Sequence, residues 1–76
     1  MIIWKGESMK LTLKEWRRAR DISQDRMAEI GDVHVNTYRI WERDPMQMKV
    51  KFLFKIMERL RIDLYDIDFD PERRHP

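Results

Sequence analysis

The sequence predicts an all-α fold, a compact bundle of four to five short helices. The chain has 76 residues, which is enough for one domain. Only two glycines and three prolines interrupt it. Its apolar residues recur every three or four positions, which is the spacing of a helix face. We expect a helical domain at 11–69, preceded by an N-terminal segment at 1–10 and followed by a flexible tail at 70–76.

The composition argues against several classes of protein. No cysteine is present, and His34 and His75 have no partner at ligand spacing, so we expect no disulfide and no metal. No paired acids, no nucleophile beside a base and no glycine-rich phosphate loop appear, which argues against an enzyme. No apolar run approaches the ~20 residues of a membrane helix. The sequence therefore predicts a cytoplasmic protein without a cofactor and without an evident small-molecule ligand.

The charge is divided unevenly along the chain. Residues 1–62 carry a net charge of +5, whereas residues 63–76 carry −3. A basic body suits a polyanionic partner such as nucleic acid. Ordinary solvated surface charge explains the same numbers, so the asymmetry alone decides nothing.

Local signals place the first two helices. Thr12 and Glu15 stand three residues apart, as in a capping box that begins a helix. Ser23 is a good N-cap for a second helix at Gln24–Ile30. Gly31 then breaks the chain, and we expect it to adopt a positive φ because glycine does so without steric cost.

A third helix is predicted at Val35–Glu42, with Tyr38 and Trp41 facing inward. His34 stands before its first residue, where serine or threonine would be a stronger cap. A helix pair joined by a tight turn, inside a small bundle, is the helix-turn-helix arrangement.

The fourth helix is predicted at Val50–Arg61, and it is the most apolar part of the chain. Its apolar residues cover an arc of roughly 200°, about twice what one core contact requires. We expect the surplus, at the edge marked by Phe52, to need a cover, either from the apolar N-terminal residues Met1–Trp4 folding back within one chain or from a second copy of the chain. Asp63 should cap one last short turn at Leu64–Asp66.

A set of residues at fixed spacing makes the interpretation more specific. The set comprises Leu13, Arg17, Ala19, Ile22, Ser23, Gln24, Met27, Ala28, Glu29, Val33, Thr37, Trp41, Glu42, Val50, Leu53, Ile56, Leu60, Ile62, Leu64, Asp66 and Ile67. With this pattern the chain resembles the Xre/Cro-repressor family of helix-turn-helix DNA-binding domains, whose fold is lambda-repressor-like. The ending Tyr65-Asp66-Ile67 is similar to that of short, stand-alone, phage-type members.

The resemblance implies two roles for residues of that pattern. Arg17 and Glu42 correspond to an ion pair that ties the first helix to the end of the third, and a bidentate contact would suit it. Gln24 corresponds to a phosphate contact at the N-terminus of the second helix, where free N–H groups attract anions. Ser23 beside it either contacts phosphate or only caps the helix.

Base reading is expected from the third helix, whose N-terminal part would enter the major groove. Asparagine can bond adenine and arginine can bond guanine, while apolar side chains meet thymine methyl groups. The candidate base contacts are Val35, Asn36, Arg39 and Ile40. The candidate DNA-backbone contacts are Ser23, Gln24, Thr37, Arg43, Gln47, Lys49 and Lys51. Val35 has a second interpretation as a core residue, and Arg39 has one as a phosphate contact.

The chain departs from the family pattern at the turn. Gly31-Asp32 replaces the usual Leu-Gly, which predicts an underfilled core pocket or a bend in the second helix.

Two functional hypotheses follow. The first is a sequence-specific transcriptional regulator, a weak homodimer on double-stranded DNA with a palindromic operator. The second is a protein-interaction module, such as an antitoxin or anti-repressor subunit, whose apolar Val35 and Ile40 surface binds a protein.

Overall fold

The computed structural model describes residues 10–70, and four α-helices and two 3-10 turns make up this part of the chain. The helices are α1 (Leu13–Ala19), α2 (Gln24–Gly31), α3 (Val35–Arg43) and α4 (Val50–Leu60), and the turns lie at Pro45–Gln47 and Leu64–Asp66. The all-α prediction is confirmed. The predicted segment at 1–10 and tail at 70–76 lie outside the described residues, except for Lys10 and Asp70.

Side-chain caps begin the helices where the sequence predicts them. The Thr12 hydroxyl accepts from the Glu15 N–H at 3.2 Å, and the Glu15 carboxylate accepts from the Thr12 N–H at 2.9 Å. The Ser23 hydroxyl accepts from the Arg26 N–H at 3.0 Å. Asp63 caps the last 3-10 turn through a second capping box. Each cap satisfies an N–H group that has no partner within its helix.

The turn between α2 and α3 differs from the prediction. Gly31 is the last residue of α2 and has an ordinary helical backbone, whereas Asp32 takes the left-handed conformation with φ 59°. Aspartate tolerates this region better than most residues, because its short polar side chain can bond locally. The expectation of a positive φ at Gly31 was therefore wrong. Arg61 is also left-handed, with φ 58°, and it ends α4 one residue earlier than predicted.

Gly31 serves packing instead of backbone geometry. A Cβ atom at this position would lie 2.0 Å from Cδ1 and 2.1 Å from Cε1 of Phe52, far inside any real contact. The Phe52 ring also packs against Trp41, with 4.6 Å between ring centroids, and against Tyr38 at 5.9 Å. The pocket expected to be underfilled at Gly31 is thus filled by a ring that reaches across from α4.

The exposed edge of α4 is likewise not the predicted one. Phe52 is only 2% exposed, so it needs no further cover. The apolar surplus lies instead at Val50 and Phe54, which are 64% and 60% exposed. These two residues stand four apart and so share one side of the helix.

One apolar core joins all four helices and the C-terminal stretch. Its buried members are Leu13, Met27, Ala28, Tyr38, Trp41, Phe52, Ile56, Leu60, Ile62 and Ile67. The two ends of the described chain meet in an isolated parallel bridge between Leu11 and Ile67. The indole N–H of Trp16 donates to the carbonyl of Asp66 at 2.7 Å, which holds α1 against this ending. Among the described residues, no helix is long and apolar enough to cross a membrane.

Gly31→Ala should destabilise the protein by about 1–3 kcal/mol, because the added methyl group meets the Phe52 ring. This is opposite to the usual effect of alanine, which favours a helix over glycine by about 1 kcal/mol. Urea unfolding of the wild type and of Gly31→Ala measures the difference in the free energy of unfolding. In a Phe52→Leu background the same substitution should become neutral or stabilising. An equal cost in the two backgrounds would show that the ring is not the obstacle.

Candidate nucleic-acid interface

Helix α3 has a buried side and an exposed side. Tyr38 and Trp41 are in the core. Asn36, Arg39 and Ile40 are exposed, and they are three of the four residues that the sequence proposes for base reading. The fold thus presents a polar helix face with one apolar member on a rigid support.

The remaining proposed base contact, Val35, is half-buried and packs against the core. Thr37 is also half-buried. His34 caps α3, since its Nδ1 accepts from the Asn36 N–H at 3.0 Å. An N–H group at the front of α3 is therefore already satisfied within the protein.

The Glu42 carboxylate lies on α3 beneath this face, and its side chain is only 5% exposed. Arg17 Nε donates to Glu42 Oε2 at 2.6 Å, and the Tyr38 hydroxyl donates to the same oxygen. Gln24 Nε2 donates to Glu42 Oε1 at 2.9 Å. The Arg17–Glu42 pair is not bidentate as expected, because Arg17 Nη1 donates instead to the Ile22 carbonyl at 2.9 Å.

The hydrogen bonds keep this buried carboxylate charged. Burial raises the pKa of Glu42, but the bonds from Arg17, Tyr38 and Gln24 outweigh burial and hold that pKa below its ordinary value. Burial and the neighbouring Glu42 both raise the pKa of Tyr38, so its hydroxyl stays a donor. Burial lowers the pKa of Arg17, and the contact with Glu42 more than compensates. One ionised acceptor therefore meets three donors.

A contact that sequence reasoning missed connects this buried group to the exposed face. Gln24 is half-buried, and its Oε1 accepts from Arg39 Nε at 3.1 Å. Arg39 Nη1 in turn donates to Asn36 Oδ1 at 3.2 Å. The only signal in the sequence is that Gln24 begins one helix of the pair while Arg39 lies on the other. A continuous line of hydrogen bonds thus runs from Glu42 to the surface.

The proposed phosphate contacts take different positions. Ser23 is exposed, and its hydroxyl caps α2. Four more are exposed and lie on or beside the loop between α3 and α4: Arg43, Gln47, Lys49 and Lys51. Gln47 Nε2 donates to Asp44 Oδ2 at 2.8 Å. The three cations among them carry the positive charge that phosphate binding requires.

A helix pair with a tight turn, whose second helix has one exposed polar side, is the helix-turn-helix arrangement. Comparison with protein families agrees, since the family described as Helix-turn-helix matches residues 13–67. The chain belongs to this family, of the Xre/Cro type, and is a DNA-binding helix-turn-helix regulator. Comparisons with curated proteins and with solved structures give no match.

The lowered pKa of Glu42 makes the stability of the fold depend on pH. A carboxyl group with a depressed folded-state pKa stabilises the protein above its ordinary value of 4.5, and this contribution is lost as the pH falls further. We expect the free energy of unfolding to fall with acidification below about pH 5. In Glu42→Gln this dependence should be shallower, as measured by urea unfolding at several pH values. Glu58→Gln, which removes an exposed carboxylate from α4, is the control and should keep the wild-type slope.

Proposed function

We propose that the protein is a sequence-specific transcriptional regulator of the repressor type, acting in the cytoplasm and reading the major groove with α3. The observation that carries the proposal is the exposed Asn36–Arg39 pair. Arg39 donates a hydrogen bond to Gln24, and Gln24 donates one to the buried Glu42. Side chains that read bases need such support, because each base-specific bond depends on a fixed geometry. A charged surface without a sequence-reading role would not require it.

The proposed contacts divide into those with bases and those with phosphates. Asn36 and Arg39 supply polar groups, and Ile40, 39% exposed, is available to a thymine methyl group. Val35 packs partly on the core and presents only its remaining surface. Phosphate contacts come from Ser23, Gln24, Thr37, Arg43, Gln47, Lys49 and Lys51, which position the domain on the duplex without reading sequence.

Asn36→Ala and Arg39→Ala should each weaken binding to the preferred site by about 1–3 kcal/mol and leave binding to random duplex DNA nearly unchanged. The preferred site is first obtained by selection from a random pool, and affinities are then measured by fluorescence anisotropy. Arg18→Ala removes the same charge from the exposed surface of α1 and should leave the ratio of the two affinities intact. An equal loss on both kinds of DNA would make the two residues phosphate contacts.

A protein-interaction module, such as an antitoxin or anti-repressor subunit, is the second candidate. It is favoured by two exposed apolar side chains, Ile40 on α3 and Met46 in the 3-10 turn that follows α3, the latter 76% exposed. Titration with random duplex DNA at low salt separates the candidates. A DNA-binding regulator binds at micromolar strength or better and weakens steeply as salt is added. A module that binds only protein shows neither micromolar DNA binding nor this dependence on salt.

We further propose that the regulator is a weak homodimer that binds a palindromic operator. Among the described residues 10–70, apolar surface is left uncovered at Val50 and Phe54 of α4 and at Leu64 and Tyr65 of the last turn. A two-fold pair would place two copies of α3 about 34–36 Å apart, one turn of DNA. One domain alone would read only a few base pairs.

Phe54→Lys should lower the fraction of dimer, because a charged side chain would have to be buried at the interface. Sedimentation velocity at about 100 μM, with and without DNA, measures it. Ala19→Lys adds the same charge at an exposed position of α1 and should leave association unchanged. If the wild type sediments as a monomer in both conditions, with one chain per DNA site, the dimer is ruled out.

A further inference from the structure

The direction of the Gln24 side-chain amide is set from inside the protein. The ionised Glu42 carboxylate can only accept hydrogen bonds, so the group that Gln24 presents to it must be its NH₂. The amide oxygen must then face the other way, toward the exposed side of α3. There it accepts from Arg39 Nε at 3.1 Å.

The same reasoning applies to two further groups, the Arg39 guanidinium and the Asn36 amide. Guanidinium groups only donate, so the atom of Asn36 that meets Arg39 Nη1 at 3.2 Å must be its Oδ1. The Asn36 amide nitrogen is therefore left as the group that faces a partner. Within residues 10–70, Arg39 Nη2 has no hydrogen-bond partner and also remains available as a donor. The pair therefore presents mostly donors, since its one acceptor atom, Asn36 Oδ1, keeps only a single lone pair free.

We propose that Gln24 is a positioning residue, which fixes Arg39 and Asn36 as a donor-rich edge that reads guanine in preference to adenine. In the major groove guanine presents two acceptors, N7 and O6, whereas adenine presents one acceptor and one donor. The usual bonding of asparagine to adenine needs the Asn36 Oδ1 as an acceptor, and the bond from Arg39 occupies one of the two lone pairs of that atom and constrains its orientation. The inference rests on the proposed function and specifies which bases α3 selects.

This role is separate from a phosphate contact by Gln24. The NH₂ group has a second hydrogen beyond the one given to Glu42, so a phosphate bond can coexist with the positioning role. A phosphate contact affects all sequences alike, whereas positioning changes the choice of base. The two roles therefore leave different signatures in binding data.

The test compares the wild type, Gln24→Met, Arg39→Ala and the double variant by selection from a random DNA pool. Affinities are then measured on the selected site and on its single-base variants. We expect the wild type to prefer guanine over adenine at one position by about tenfold or more. Gln24→Met, similar in shape but unable to bond, should reduce this to about threefold or less, whereas the loss of a phosphate bond from Gln24 should lower the affinity for all sequences alike. In the Arg39→Ala background it should have no further effect on base choice.

Two controls address folding and the helix as a whole. Arg26→Met alters an exposed side chain of α2 that pairs with Glu29 at 2.7 Å, and it should keep the guanine preference. Thermal melting shows whether Gln24→Met is folded. If it is not, Arg39→Lys provides the test, since it keeps the charge at an exposed position but loses the planar donor pair, and it should lose the preference.

Several outcomes would overturn the inference. The inference is wrong if Gln24→Met weakens binding to all sequences equally while the base preference survives, or if Arg39→Lys retains the guanine preference. Selection of adenine at the positions sensitive to Asn36 and Arg39 would equally show that this edge does not select guanine. Failure of the wild type to enrich any sequence is a distinct result, because it removes the proposed function itself.

Discussion

The buried Glu42 carboxylate is the interaction on which the helix-turn-helix arrangement depends. It receives hydrogen bonds from Arg17 of α1, Gln24 of α2 and Tyr38 of α3, so one charged group joins three helices. Such a group is stable only when its partners are complete, because an unpaired charge in a protein interior is costly. Apolar packing brings the helices together, while this carboxylate specifies how α3 is turned relative to α2. The exposed face of α3 is a consequence of that orientation.

Local rules account for the part of the fold that could be predicted from the sequence. The caps at Thr12, Ser23 and Asp63 depend on residues at most three positions away, and helical spacing identified Tyr38 and Trp41 as core. The family pattern located the helix pair and the residues of its exposed face. These features depend on neighbours in the chain, and a single sequence contains that information.

The features that the sequence did not reveal depend on contacts between helices. Gly31 has the residue type of a turn, and only the Phe52 ring above it explains why it lies inside α2 instead. The same ring accounts for the exposed edge of α4, which lies at Val50 and Phe54. The Gln24–Arg39 bond joins residues 15 apart on two helices, and no periodicity signals it. Such contacts are decided by the distance and rotation between packed helices, which local patterns do not contain.

The close approach of Gly31 and Phe52 has a consequence for the history of this chain. A large side chain at position 31 and an aromatic ring at position 52 would occupy the same space, so only one of them can be present at a time. Relatives with a leucine at position 31 should therefore carry a small residue at position 52, and the two positions should vary together during divergence. An ancestor that changed one before the other would have passed through a less stable intermediate, either with a cavity or with an overpacked core.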